Sequence, residues 1–385
     1  MEYVRSEAGD IEFFVTRGYA FVVADCRGTG YSEGRYDICS QKEQEDGYVL
    51  VEWIGQQPWC NGNVGMIGIS YYALIQFLVA AQQPPHLKAL FAHDGWTDLY
   101  RDISHHGGIP CVGWLPEWTA IGILSKCGPD HPVPASKTLY SEKELKRRVE
   151  KLKSNNVINK HPLLYNVLLF PEYMPLLFDW LVNEEDGPYY WERSAYTKFD
   201  KVKVPVCLGS EMHAYPVVMH LPGAFRAWEG INAPKKLVIR PEVPKRPFQE
   251  FHDEILRWFD YWLKGINTGI MDEPPIKIWV RGAEEWKIAH EWPLPETKWT
   301  KYYLESNGLL TQSQATGEVP PDTFHYKPIL PVLETPYPLD PMPEYLSYTT
   351  DPLKQDTELI GPIALSLYAS ISSDDTNFII KIKDI

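Results

Sequence analysis

The feature that most constrains the fold of this chain is a series of apolar runs separated by helical patterns in the first third of the sequence. Residues 20–24, 63–68 and 89–92 form three such runs. A run without polar alternation is typical of a strand that is buried on both faces, as in a parallel sheet. The segments 43–56 and 72–81 between these runs have helical patterns. This order of strands and helices predicts a doubly wound α/β sheet.

A different pattern occupies the middle of the chain, from about residue 111 to residue 190. Residues 139–153 form a polar helical segment that is rich in Lys and Glu, whereas residues 163–170 and 174–182 are apolar and aromatic. We interpret this stretch as a helical cap that is inserted over the sheet.

The sheet pattern resumes in the second half of the chain. Residues 203–208 and 237–239 are strand-like, and residues 250–264 form a strongly amphipathic helix. After residue 275 the pattern changes to the period-two alternation of antiparallel strands. The alternating segments are residues 276–280, 301–304, 363–368 and 378–382. They predict a separate β domain, a sandwich or jelly roll.

The composition excludes several classes of protein. The net charge of −14 argues against a protein that binds nucleic-acid phosphates, and no apolar stretch reaches the roughly 18 residues of a membrane helix. The N-terminus has no apolar signal region. The six cysteines form no CxxC pair, so we expect reduced thiols in a cytoplasmic protein without a metal or cofactor.

Residues 65–73 carry the clearest chemical signal. Ser70 lies two residues after Gly68, between a predicted buried strand and a predicted helix. This is the context of a nucleophile elbow, which places the serine hydroxyl at the top of the sheet and at the start of the next helix. The backbone N–H of Tyr71 would then point to the developing oxyanion. An ordinary strand-to-helix turn with a capping serine is the alternative.

Several further short motifs follow one another along the chain. They include Arg17-Gly18-Tyr19, Asp25-Cys26-Arg27-Gly28-Thr29-Gly30, Asn61-Gly62-Asn63-Val64-Gly65, Ser70-Tyr71, Asp98-Leu99-Tyr100-Arg101, Trp258-Phe259-Asp260-Tyr261-Trp262 and Thr349-Thr350-Asp351-Pro352. With these motifs the chain resembles the cocaine-esterase and X-Pro dipeptidyl-peptidase family of α/β hydrolases. The resemblance implies a serine hydrolase that acts on a small-molecule acyl or peptide substrate. It leaves open whether the chain forms a homo-oligomer.

The fold class implied by the patterns and the resemblance is α/β. It combines an α/β-hydrolase doubly wound sheet, a helical cap insertion and a C-terminal jelly-roll-like β-sandwich. The expected segments are the first part of the core at residues 1–112, the cap at 113–190, the second part of the core at 191–273 and an incomplete β domain at 274–385.

At the two positions where the family carries the acid and the histidine of its catalytic triad, this chain has residues that cannot fill those roles. In the α/β-hydrolase order the acid follows the nucleophile, and the histidine comes last. The acid position of the family aligns with Met212, and Glu211 lies one residue earlier. The histidine position aligns with Pro244. Without a base, a serine hydroxyl is a poor nucleophile at neutral pH.

Replacement partners can be proposed from the chain order. We expect Glu211 as the acid and His252 as the base, with His213 as a rival because it shares a loop with Glu211. His220, in the same loop, is a further candidate, although each of these histidines is more often a structural residue. His93 and Asp94 are adjacent, so a dyad between them is not expected.

The chain ends lead to a second expectation. Family members carry an upstream strand, whose tyrosine gives a second oxyanion donor, and further jelly-roll strands beyond the match to residues 374–385. We therefore expect a fragment, a wrongly predicted gene product or a degenerate paralogue. The hypotheses are a serine hydrolase acting through Ser70, a catalytically impaired pseudoenzyme or binding protein, and an acyltransferase or tailoring enzyme of secondary metabolism. With an altered triad we expect slow hydrolysis of activated esters at most.

Overall fold

The computed structural model describes residues 7–212, 219–241, 249–317, 319–325, 344–374 and 376–383. Contacts divide the chain into two units, Met1–Ile288 and Ala289–Ile385. The main strands are β1 (Val64–Ile69), β2 (Leu87–His93), β3 (Val206–Glu211), β4 (Lys235–Arg240), β5 (Ile276–Val280), β6 (Glu285–Ala289), β7 (Tyr303–Glu305) and β8 (Leu309–Thr311). The longer α-helices are α1 (Ile11–Val15), α2 (Gln41–Gly55), α3 (Tyr71–Ala80), α4 (Glu142–Ser154), α5 (Pro162–Leu169), α6 (Pro175–Val182), α7 (Pro188–Arg193), α8 (His220–Gly230) and α9 (His252–Lys264). Short helical segments are Leu99–Ser104, Leu115–Glu117, Trp118–Ile123 and Ser136–Leu139.

The first unit is built on a six-stranded sheet in the order β1-β2-β3-β4-β5-β6. Strands β1 to β5 pair in parallel, each with the next in this order. Ile69 lies opposite His93, and His93 lies opposite Gly209. The carboxyl ends of β1, β2 and β3 therefore meet at one edge, where α/β sheets place their sites.

Two helices cover the first two strands of the sheet. Helices α3 and α9 both pack against β1 and β2. Trp258 and Phe259 of α9 are buried in a cluster with Phe91 and Cys207 of the sheet. At Gly65 of β1 a Cβ atom would lie 2.6 Å from the Phe259 ring, so the sheet and α9 approach closely only because this residue is glycine.

Two predicted segments differ from the structure. Residues 20–24 were expected as a buried strand, but residues 19–26 form no strand, and Val22 and Val23 are 38% and 46% exposed. An apolar run becomes a strand only when a neighbouring strand pairs with it, and none of the described strands does so here. The alternating segment Ile276–Val280, expected in the β domain, pairs in parallel with β4 as strand β5 of the main sheet.

The segment between β2 and β3 is mostly helical. Helices α4, α5 and α6 surround an apolar cluster that includes Leu152, Leu164 and Phe178. Ser141 caps α4 by accepting the Glu144 N–H at 3.3 Å, as expected for a serine that begins a helix. These helices correspond to the predicted polar and apolar helical segments of residues 139–182.

The second unit contains the antiparallel pair β7 and β8. Residues 363–368 and 378–382 were predicted as strands, and this prediction was wrong because the described residues there form no strand. Ile363 and Ile379 are 69% and 59% exposed. An alternating pattern shows which side chains could share a face, but it does not supply a partner strand. Among the described residues, no helix combines the length and the hydropathy that crossing a bilayer requires.

Candidate active site

Ser70 occupies a strained turn between β1 and α3. Its backbone has φ 57° and ψ −117°, a conformation that costs a non-glycine residue on the order of 1–3 kcal/mol. The Ser70 N–H donates to the His93 carbonyl at 3.2 Å, and the Ser70 carbonyl accepts the N–H groups of Ala73 and Leu74. The predicted strand-to-helix turn at Ser70 is confirmed.

Gly68 is the small residue that this turn requires. A Cβ atom at Gly68 would lie 2.3 Å from the Cβ atom of Tyr72. The side chain two residues after the serine therefore occupies the space beside Gly68, where a side chain on residue 68 would clash. The sequence pattern of a glycine two residues before the serine has this steric origin.

A histidine at the start of α8 contacts the serine. His220 Nε2 lies 3.3 Å from Ser70 Oγ, and His220 Nδ1 lies 3.4 Å from Glu211 Oε1. The histidine side chain is 15% exposed and that of Glu211 is 4% exposed. Serine, imidazole and carboxylate are thus connected in the order that general-base activation of a serine requires. Such contacts are often long without substrate and shorten in the substrate complex.

Glu211 is the last residue of β3 and is held from the neighbouring strand. Its backbone N–H donates to Asp94 Oδ1 at 2.8 Å. The Asp94 N–H donates in turn to the Gly209 carbonyl at 2.8 Å. Burial, reinforced by the neighbouring Glu211 carboxyl, raises the pKa of Asp94 to about 8. One carboxylate oxygen of Asp94, one of Glu211 and a ring nitrogen of His220 lie within 4.8 Å of one another, so the three side chains form a compact and mostly buried cluster.

The other predicted site residues lie in different surroundings. His252 is the first residue of α9 and stacks on Phe13, with ring centroids 4.2 Å apart. His213 lies outside the described residues. Tyr71 is the first residue of α3, so its N–H is one of the donors that the helix itself leaves without an acceptor. The Tyr71 hydroxyl donates to the buried Glu43 carboxyl at 2.7 Å, and burial raises the pKa of Glu43 to about 7.

The structure therefore brings Ser70 and Glu211 together through His220. The sequence placed His220 in the correct loop but gave it no preference, because the family pattern expects the histidine after β4. The usable signal was its position: His220 begins an amphipathic helix nine residues after Glu211. Asp94, at the end of β2, was not expected to take part in the site.

Comparison with known proteins gives two family matches. Residues 2–243 match the X-Pro dipeptidyl-peptidase (S15) family, and residues 268–385 match the X-Pro dipeptidyl-peptidase C-terminal non-catalytic domain. The chain is 26% identical to the cocaine esterase of a Rhodococcus species, over 97% of this chain and 71% of that protein. It is 24% identical to a putative Xaa-Pro dipeptidyl-peptidase of Bacillus cereus, over 95% of this chain and 60% of that protein.

A solved structure shows the same architecture. A CocE/NonD family hydrolase of Staphylococcus aureus aligns with a TM-score of 0.57 and 25% identity, over 76% of this chain and 46% of that chain. The sheet and the helices packed on it thus belong to the α/β-hydrolase fold. The chain spans about half the length of this solved relative and 60–71% of the two others.

Proposed function

Because the chain belongs to the X-Pro dipeptidyl-peptidase (S15) family, we propose that it is a serine hydrolase that cleaves ester or amide acyl groups. Ser70 is the nucleophile, His220 the general base and Glu211 the acid that orients the base. The observation that carries the proposal is the continuous contact from Ser70 Oγ through both nitrogens of His220 to Glu211 Oε1. His220 here takes the role that the chain order alone assigned to His252.

Acylation follows from this geometry. The Ser70 oxygen bonds to the acyl carbon of the substrate while the hydroxyl proton moves to His220 Nε2. Glu211 accepts the hydrogen bond from the other ring nitrogen, which fixes the tautomer and stabilises the imidazolium that forms. When the tetrahedral intermediate collapses, the bond to the leaving group breaks, and His220 returns the proton to the leaving alcohol or amine.

Deacylation repeats these steps with water. A water oxygen bonds to the acyl carbon and its proton moves to His220. The ester bond to Ser70 then breaks, the carboxylic acid leaves, and the proton returns to the Ser70 oxygen. The Tyr71 N–H, together with the positive end of α3, stabilises the oxyanion in both halves of the reaction.

The strain at Ser70 supports this role. The φ of +57° turns the serine out of the line of the strand and places its oxygen beside the first turn of α3. Strained backbone of this kind concentrates at functional sites, where surrounding structure stabilises it. Here the hydrogen bonds of the Ser70 N–H and carbonyl to β2 and α3 hold the turn.

The substrate class is a small acyl ester or a peptide amide. One relative is named a cocaine esterase and another a putative Xaa-Pro dipeptidyl-peptidase. Ester hydrolysis and peptide hydrolysis by a serine hydrolase use the same acyl-transfer chemistry. With His220 able to protonate the leaving group, amide cleavage becomes chemically accessible, although esters remain the easier substrates.

Labelling with a fluorophosphonate probe tests the proposal. We expect stoichiometric labelling of the wild-type chain at Ser70, located by mass spectrometry of the labelled peptide. Ser70→Ala should abolish the label, and His220→Asn should slow labelling by about 10²-fold or more because the base is lost. Ser313→Ala, at an exposed serine of the second unit, is the matched control. A wild-type chain that stays unlabelled would point to the pseudoenzyme alternative.

A further inference from the structure

Two buried carboxyl groups lie behind His220, and each leaves one oxygen without a hydrogen-bond partner among the described residues. Asp94 is 1% exposed and Glu211 is 3% exposed. Asp94 Oδ1 accepts the Glu211 N–H, and Glu211 Oε1 faces His220. The remaining atoms, Asp94 Oδ2 and Glu211 Oε2, are buried and unpaired. A buried polar atom without a partner is costly, so these two oxygens require an explanation.

One proton would satisfy both atoms. The two carboxyl groups are neighbours, with an oxygen of each within 4.8 Å of the other, but two ionised carboxylates can only accept hydrogen bonds and repel each other. A proton on one carboxyl turns this repulsion into a short hydrogen bond and leaves a single negative charge on the pair. Carboxyl pairs at close range share protons for this reason.

We propose that Asp94 and Glu211 share one proton, and that neutral Asp94 is a positioning residue that holds the Glu211 carboxylate against His220. This inference rests on the proposed function, because it takes His220 as the base. The hydroxyl of Asp94 donates to Glu211, while Asp94 Oδ1 accepts the Glu211 N–H. Glu211 is thereby fixed at both its backbone and its side chain.

The surroundings place the proton on Asp94. Glu211 faces His220, whose positive charge during the reaction favours an ionised partner. Among the described residues, the charged groups that face Asp94 are Glu211 and His220. Asp94 itself lies deeper, in a left-handed backbone conformation with φ 50° that the Gly209 carbonyl holds in place. Burial therefore acts most strongly against an ionised Asp94.

Infrared spectroscopy tests the shared proton without any need for turnover. We expect the wild-type protein in D₂O at pH 6 to show a carbonyl stretch of a protonated carboxylic acid that Asp94→Asn lacks. The same band should disappear from the wild type as the pH is raised well past 8. Asp179→Asn is the control, because Asp179 is a second buried carboxyl, in α6, whose pKa burial raises to about 6. The Asp179→Asn variant should therefore keep the band that titrates near pH 8.

Kinetics test the positioning role. We expect Asp94→Ala to lower kcat for p-nitrophenyl acetate about tenfold with little change in KM, since Asp94 is only 1% exposed and is proposed to act through Glu211. Asp94→Asn should recover most of this loss, because its amide can donate to Glu211 and still accept the Glu211 N–H. The wild-type pH–rate profile should show a break near pH 8 that Asp94→Asn lacks.

Three results would overturn the inference. One is an infrared spectrum that Asp94→Asn leaves unchanged. Another is a divalent cation bound in a 1:1 ratio to the wild type and lost in Asp94→Asn, which would assign the unpaired oxygens to a metal. The third is equal kcat values for Asp94→Ala, Asp94→Asn and the wild type. Turnover that survives Ser70→Ala would contradict the proposed function alone, because the infrared result does not depend on Ser70.

Discussion

Ser70 shows how much one residue contributes to the site. Its left-handed backbone conformation is unfavourable for any residue with a Cβ atom, and the hydrogen bonds to β2 and α3 maintain it. The turn exists because Gly68 leaves room for Tyr72. The side-chain oxygen of Ser70, the proposed nucleophile, is therefore positioned by backbone geometry before any other side chain contributes.

The strain at Ser70 predicts a stability difference between two inactive variants. Ser70→Gly should be more stable than Ser70→Ala by about 1 kcal/mol, because glycine adopts positive φ without the Cβ penalty that alanine keeps. Urea unfolding of both variants measures the difference. Equal stabilities, or a more stable alanine variant, would show that the turn is not strained.

Asp94 predicts a pH dependence of folding stability. Its native pKa of about 8 lies above the ordinary value of 3.8, so between these values the native state holds a proton that the unfolded state has lost. Asp94 therefore lowers the free energy of unfolding as the pH rises from about 4 to about 8. Asp94→Asn should remove this contribution, so its stability relative to the wild type should rise across that range. If the two proteins differ in free energy of unfolding by the same amount at every pH, the raised pKa of Asp94 is contradicted.

Among the elements, three strands and one helix position the proposed site. Strands β1, β2 and β3 bring Ser70, Asp94 and Glu211 to one edge of the sheet, and α8 begins with His220 above that edge. In the family pattern the histidine follows the next strand, at the position of Pro244. Here the proposed base, His220, lies between β3 and β4 instead.

The packing of helix α9 on the sheet leads us to expect a large loss of stability when a buried side chain of this helix is truncated. Trp258 is fully buried against β1 and β2, so Trp258→Ala should cost about 3–5 kcal/mol of the free energy of unfolding. Trp53 of α2 is 53% exposed, and Trp53→Ala should cost less than about 1 kcal/mol. Chemical denaturation of the two variants gives the comparison. Similar losses of the free energy of unfolding would mean that α9 contributes no more to the stability of the core than α2 does.

Local patterns predicted the elements better than they predicted the pairings. The continuous apolar runs at β1, β2, β3 and β4 became strands because each has a parallel neighbour on at least one side. Residues 20–24 have the same apolar character but remain outside the sheet. Ser70 and Glu211 could be predicted as candidate site residues, because Ser70 directly follows a predicted strand and Glu211 lies at the end of another. His220 could not be preferred, because the family pattern expects the histidine after β4 and spacing alone does not show which histidine approaches Ser70.

At the scale of the whole molecule, the chain consists of an α/β-hydrolase unit and a second unit that matches the family's C-terminal non-catalytic domain. The residues that we propose for catalysis all lie in the first unit. They depend on three neighbouring strands and one helix, which the structure describes from end to end. The chemistry proposed for Ser70 therefore draws on contacts within that unit.

The rate of p-nitrophenyl acetate hydrolysis in four proteins tests whether Ser70 and His220 act together in catalysis. We expect turnover by the wild type that Ser70→Ala abolishes and that His220→Asn lowers by about 10²–10⁴-fold, the range for loss of a general base. His252→Asn, a buried histidine that stacks on Phe13, is the matched control and should keep most of the activity if the variant folds. Loss of activity in His252→Asn with retention in His220→Asn, or equal rates in all four proteins, would contradict the assignment of Ser70, His220 and Glu211.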